Sequence, residues 1–149
     1  MAGMTDQTLV NTLLTNLYKT STATTFTPGT GGTALAITLP FKLRLYSVIG
    51  TESASGTELT TSGGYTAGGS SLGTVFAGTV SGGQFSNANA VSWSATGSWT
   101  TAVAVEVWDS SGTPVRHLWG ALTANITGVS SGDTVQFAAA SVTVNASTW

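Results

Sequence analysis

The chain has 149 residues and a mass of 15.0 kDa, the size of one domain that can bury its own core. Charged residues make up only 7% of it and the mean hydropathy is +0.25, so hydroxyls and backbone rather than ions must face water. A formal net charge of −2, four Lys+Arg and no cysteine argue against a nucleic-acid-binding stripe, a disulfide framework and a thiolate metal site.

The polar residues are 28 Thr and 18 Ser, set beside 19 Gly and 18 Ala, while five Trp, three Tyr and five Phe supply core material. No apolar run reaches the roughly 20 residues of a membrane helix, which argues against a membrane partner. The opening Met1-Ala-Gly-Met-Thr-Asp lacks the charged and apolar regions of a secretory signal. The expectation is a protein made and used in cytoplasm, or carried out of the cell only as part of a larger particle.

One helical pattern comes first. Across residues 5–18, Leu9, Leu13 and Leu17 recur every four residues with Val10, Leu14 and Tyr18 beside them, forming one apolar stripe. Thr5 can cap this helix, Asp6 suits its positive end and Lys19 its negative end. A helix this short is marginal alone, so the stripe is expected to pack beneath a β domain or between subunits.

Residues 20–32 are rich in Thr and Gly and contain Pro28, which reads as an extended arm whose one large apolar side chain is Phe26. With so little to bury, the arm is expected to be mobile until it lies on a partner. The division is therefore an N-terminal helix and arm over 1–32 and a β-sandwich domain over 33–149. Strand-like runs occupy 34–39, 41–48, 74–80, 90–93, 101–108, 114–122 and 134–144. Their number and spacing predict a mainly β fold, an antiparallel β-sandwich or jelly-roll-like domain with a short N-terminal amphipathic helix.

In 101–108, Val103, Val105 and Val107 alternate with Ala102, Ala104 and Glu106, predicting one apolar face and one small or wet face. Asp109-Ser110-Ser111-Gly112 predicts a hairpin turn with Gly112 at positive φ, and 114–119 as the returning strand. In 134–144, Val135, Phe137 and Ala139 share one parity and Val142 and Val144 the other, predicting a bulge near Ala140 and Ser141.

Groups able to do chemistry are sparse. His117 is the sole histidine, and Asp109, Ser110 and His117 fall in one hairpin, which raises a hydrolase triad. No Gly-x-Ser-x-Gly elbow accompanies them, so a turn and a strand are the expected reading. The glycine clusters lack the Gly-Lys-Ser/Thr ending of a phosphate loop, and the carboxylates lack calcium-loop spacing. No catalytic, cofactor or metal site is expected. Trp93, Trp99, Trp108 and Trp119 fit core packing, with a sugar-binding shelf as the alternative for any one of them. Trp149 is expected to dock on its own chain or on a partner.

Leu43-Arg-Leu-Tyr46, Gly56-Thr-Glu58-Leu, Ser62-Gly-Gly-Tyr65, Phe85-Ser-Asn87, the run from Trp99 to Asp109, Trp119-Gly-Ala-Leu122 and the run from Ser131 to Ala139 occur in an order and spacing that resemble one family. These are small virion proteins of tailed bacteriophages, labelled tail-fibre-like or minor structural proteins. The likeness covers most of residues 5–145, although Thr66-Ala67-Gly68 stands where the family has Ala-Arg. The resemblance implies a non-enzymatic particle protein. No fibre-like repeat is present, which favours a head decoration or minor capsid protein on the capsid surface, clamping the major capsid protein. By class resemblance it would be a homotrimer; the arm, pairing with a neighbour's strand edge, and the terminal aromatic put Phe26 and Trp149 at the expected capsid contact. The alternative is a tail fibre or tail-tip module that binds a host surface glycan through Trp99 or Trp119. A third reading, a small hydrolase, rests on Asp109 and His117.

Overall fold

The computed structural model describes residues 7–19, 24–26, 35–73 and 76–145. Helix α1 (Gln7–Leu14) runs into a π-helical turn, Thr15–Lys19. The strands follow as β1 (Thr24–Phe26), β2 (Leu35–Ile37), β3 (Lys42–Val48), β4 (Thr57–Glu58), β5 (Ser70–Ser71), β6 (Gln84–Ser86), β7 (Val91–Ser94), β8 (Ala102–Trp108), β9 (Arg116–Ile126), β10 (Thr134–Phe137) and β11 (Thr143–Asn145). The fold is mainly β, with antiparallel sheets and one short helix near the N-terminus, as the composition of runs and turns predicts.

Strands β3, β8 and β9 form the body of a five-stranded sheet in the order β4-β3-β8-β9, with β5 sharing the β4 side of β3. A second layer is built from two antiparallel pairs, β7 with β10 and β6 with β11. Leu43, Leu45 and Val107 of the sheet share one apolar cluster with Phe85, Val91, Trp93 and Val135 of those pairs, which makes the arrangement sandwich-like. Phe41, Leu43, Leu45, Leu72 and Phe76 are fully buried at its centre.

The helix closes one end of this core. Leu14 and Tyr18 are buried, and Tyr18 stacks on Phe85 at 4.9 Å and meets Phe76 edge-on at 5.8 Å. Two further bonds fasten it to the second layer: Ala77 N–H donates to the Tyr18 carbonyl at 2.8 Å, and Gly83 N–H to Asn11 Oδ1 at 2.9 Å. Burial raises the Tyr18 phenol to about 12, so it stays neutral.

Several expectations change. Within the stretch read as an unpaired arm, Thr24–Phe26 pairs with Leu35–Ile37 of the same chain, because backbone pairing needs no side-chain core. The run 74–80 yields a single bridge, Ala77 to Asn87, in its described part. Gly112 does not adopt positive φ, since the Asp109 carboxylate closes the turn instead by accepting from Val115 N–H at 2.8 Å and Ser111 Oγ at 2.9 Å.

The run 134–144 is not one bulged strand. It splits at Ala140, whose φ is 64°, and its two halves pair with different strands. Buried Asn87 holds the crossing: its Nδ2 donates to the carbonyls of Asn89 and Ala138, and its Oδ1 accepts from Val142 N–H. The parity switch at Val142 is thus a change of partner.

Both faces of β8 are covered. Val105 and Val107 lie beside Leu45 and Leu43 on the core side, Val107 being buried, and Ala102, Ala104 and Glu106 are buried as well. The loop 49–69 lies over the alanine side, where small side chains let backbone approach. Gly56 marks the closest approach, for a Cβ there would run into the Val48 carbonyl oxygen and the Gly50 nitrogen. Gly56→Ala is expected to lower stability by about 2 kcal/mol or more in urea unfolding, since backbone on both sides must shift.

Candidate functional site

The charged residues converge on the outer side of the five-stranded sheet. Pairing sets Arg44 opposite Glu106, and Glu106 opposite Trp119, while Trp108 stands opposite both Lys42 and Arg116. Glu106 is 1% exposed, and a carboxylate there must be fully supplied with donors. Its Oε1 accepts from Gly56 N–H at 2.9 Å and pairs with Arg116 Nη1 at 3.1 Å, and its Oε2 accepts from Trp108 Nε1 at 2.9 Å.

Arg116 donates onward to the carbonyls of Thr51, Glu52 and Ala54 at 2.6, 3.0 and 2.8 Å, clamping the loop to the sheet. Arg44 lies 4.4 Å over the Trp108 ring and 3.5 Å from Glu58. Glu58 Oε1 accepts from Tyr65 Oη at 2.8 Å and Gly68 N–H at 2.7 Å, and Tyr65 Oη accepts from Leu45 N–H. Burial, then the hydrogen bond to Glu106, raises the Tyr46 phenol. Burial also raises Tyr65, with Glu58 reinforcing it, so both remain protonated donors. Both oxygens of Glu106 are occupied by these partners, so the network holds the loop and offers no acid to a ligand.

Asp109 and His117 do meet, as the hairpin implies. His117 Nε2 lies 3.9 Å from Asp109 Oδ2, with both side chains nearly buried, and neither atom has a hydrogen-bond partner. Phe41 stands edge-on to the imidazole at 5.2 Å and Tyr18 at 6.5 Å. Burial lowers the His117 imidazole despite the opposing pull of Asp109. Burial alone would raise the Asp109 carboxyl, but the bonds it accepts from Val115 and Ser111 outweigh that and hold it below its ordinary range. Ser110 does not complete a triad here. Its Oγ donates to the Pro40 carbonyl at 2.5 Å. Among the described residues, no group of three or more His, Cys, Asp or Glu converges as a metal site would require.

The open surface lies on the β9 side. A cleft of about 330 Å³ separates the layers there, lined by Val105, Leu118, Leu122, Phe137, Val142 and Val144. A wider opening continues past Ile126 and Val129. Trp119 is 45% exposed on the other face of β9, with the Arg116 guanidinium 5.8 Å from its ring.

Of the residues read for helix packing or oligomer contact, Leu9, Val10, Leu13 and Leu14 lie in α1 and Leu17 in the turn after it. Leu14 is spent in the chain's own core, Leu17 packs against it and Leu13 is half-buried. Phe26 falls in β1, and Trp149 lies outside the described residues. Trp93 is core, and Trp99 packs on Tyr65 with its Nε1 donating to the Gly63 carbonyl at 2.6 Å, so among the described residues Trp119 is the tryptophan that faces solvent. Sequence reasoning missed the Arg44–Glu58 and Glu106–Arg116 pairs, which only strand register aligns. The β9 surface did have a signal, the absence of Lys, Arg, Asp, Glu and Pro between Arg116 and Asp133. In comparison with known proteins, the chain matches no family model, no curated protein and no solved structure.

Two outcomes follow from the buried charges. Arg116→Ala leaves Glu106 buried without its cation and frees the loop, with an expected loss of about 3 kcal/mol. The double variant Glu106→Gln/Arg116→Met should recover part of that in a denaturant series. The second outcome concerns pH. The unfolded chain protonates His117 near 6.5 whereas the folded chain resists, so stability is full above that value and falls as pH drops toward the lowered folded value. Thermal unfolding should show the midpoint falling from about pH 7 to about pH 5, and His117→Gln should flatten that window. The further loss at lower pH, where the unfolded chain protonates Asp109 and the folded chain resists, should remain in the variant.

Proposed function

We propose that this chain is a structural protein of a tailed-phage virion, a head decoration or minor capsid protein that binds the major capsid protein and stabilises the shell as a homotrimer. The observation that carries the reading is the distribution of polarity. Five of the charged side chains, Arg44, Glu58, Glu106, Asp109 and Arg116, are drawn into contacts within the chain, and the cleft beside β9 is left open with an uncharged lining. Such a surface is a liability for a solitary protein and suits one covered in an assembly. The resemblance in motif order points the same way, and the virion is then its location.

The test is co-sedimentation of the purified chain with capsids lacking it, together with copy number per particle by gel densitometry. Saturable binding and hundreds of copies are expected, whereas a handful of copies would remove the decoration reading. Phe26→Ala and Trp149→Ala are each expected to weaken capsid binding several-fold with an unchanged circular dichroism spectrum, aromatic anchors being the usual dominant contacts.

A second reading, a tail-tip module for host surface glycans, is favoured by the exposed indole of Trp119 beside the Arg116 guanidinium. Glycan-array binding abolished by Trp119→Ala and retained by Trp99→Phe would support it.

A further inference from the structure

The strands of the five-stranded sheet are held by backbone ladders, whereas helix α1 and the turn after it meet the β layers through side chains and a few single bonds. Leu14, Leu17 and Tyr18 pack on the core, Gly83 N–H donates to Asn11, and Ala77 N–H donates to the Tyr18 carbonyl. A helix of eight residues has little stability of its own. Segments fastened in this way open locally at a smaller free-energy cost than core strands. Tyr18 is the aromatic anchor among these contacts, and the rings of Phe41, Phe76, Phe85 and His117 surround it at 5.5, 5.8, 4.9 and 6.5 Å.

Three of those four partners are phenyl rings, and the fourth is the chain's single imidazole. His117 enters the cluster from the irregularity in β9 between the partners of Val107 and Trp108, so Leu118 and Arg116 hold its backbone in the ladder on both sides. The titratable and charged groups that face it are few. From the turn ahead of β9, Asp109 Oδ2 stands 3.9 Å from Nε2, beyond hydrogen-bond reach, while Oδ1 is committed to Val115 and Ser111. From the helical turn comes the Tyr18 phenol, which burial keeps neutral, and from the approach to β3 comes Phe41, which carries no charge. Arg116, next in sequence, is engaged with Glu106. A neutral imidazole suits such a pocket, whereas an imidazolium would lie among rings without a completed ion pair.

We propose that the Tyr18–His117 contact is an acid-operated latch: protonation of His117 releases helix α1 and the turn Thr15–Lys19 from the sandwich, while the five-stranded sheet stays folded. With the Tyr18 ring withdrawn, the imidazolium is hydrated and free to turn toward Asp109 Oδ2, so the released form binds the proton more tightly than the closed form. Linkage sets the direction. Burial holds the imidazole of the closed form below its ordinary 6.5, so closure is fully favoured above that value and weakens as pH falls toward the lowered one. The helix yields before the sheet because its fastening is the lighter of the two and because the ladder around His117 does not depend on the side chain. The inference goes beyond the virion reading and stands on the purified chain, so the fate of capsid binding leaves it untouched.

The experiment is amide hydrogen exchange of the full chain at about pH 7.5 and about pH 5.5, with rates corrected for the intrinsic pH dependence of exchange, on peptides from 7–19 and 102–108. Both values lie above the ordinary carboxylate range, which leaves His117 as the titrating side chain. The helix peptides are expected to exchange through an opening far more frequent than that of β8, and their protection to fall severalfold at the lower pH, with about tenfold as the limit one proton sets over that interval. In His117→Gln the helix protection should not change with pH. The reciprocal measurement is the NMR titration of the imidazole, unambiguous in a chain with one histidine: Tyr18→Ala should bring its midpoint up toward the ordinary value. Helix protection that is the same at both pH values, or that equals the protection of β8, would overturn the proposal, since His117 would then titrate only with global unfolding. So would a Tyr18→Ala midpoint as low as the native one. If that variant fails to fold, the exchange of the native chain alone still decides.

Discussion

A carboxylate taken out of water needs donors on both oxygens, and Glu106 obtains them from three parts of the chain. Trp108 comes from its own strand, Arg116 from the next, and Gly56 from a loop fifty residues earlier. That requirement fixes the rest of the outer half of the molecule. Loop 49–69 must descend onto the sheet to present the Gly56 amide, and only residues without a Cβ tolerate the approach. At Gly50 a Cβ would lie 2.6 Å from Glu106 Oε1 and 2.7 Å from Arg116 Nη1. Arg116 in turn uses its remaining donors on loop carbonyls, so one guanidinium neutralises the buried acid and holds the cover over it.

The cost of that arrangement falls on the surface. A chain with four basic and six acidic residues that commits half of them to internal contacts has little charge left to keep copies apart. Solubility then rests on threonine and serine hydroxyls, which hydrate well and exclude a partner weakly. The two sides of the sheet consequently differ: the β4–β5 side is sealed by its own loop, and the β9 side leaves an apolar-lined cleft open.

The helix, the β8–β9 hairpin and the all-β character were legible because each is written in a period or a turn signal within a short window. Leu14, Leu17 and Tyr18 recur at helical spacing, and Asp109 to Ser111 mark the turn whichever residue closes it. The valine face of β8 was legible as the apolar one, but alternation does not say that a distant loop will cover the alanine face too. Strands β4, β5 and β6 are too short to leave a pattern, being stabilised by what they pair with. The split at Ala140 was hidden in a run of three alanines whose fate depends on Asn87, more than fifty residues earlier. The Asp109–His117 contact was visible because both lie in one hairpin, whereas Glu58, Arg44, Glu106 and Arg116 looked scattered until strand register aligned them.

The division of the last described strands between two partners also orders events in time. β6 and β7 are made early, but their partners β11 and β10 are synthesised about 40 to 60 residues later. At about 5–20 residues per second, a ribosome leaves the apolar side of β3 and β8 without its second layer for several seconds. Pairing across such separations is slow in itself, because loop-closure entropy is spent before any contact returns it. The nascent chain therefore passes through an interval in which a helix and a half-covered sheet await their lid. Its yield in a cell is set by how that interval compares with encounters between unfinished copies.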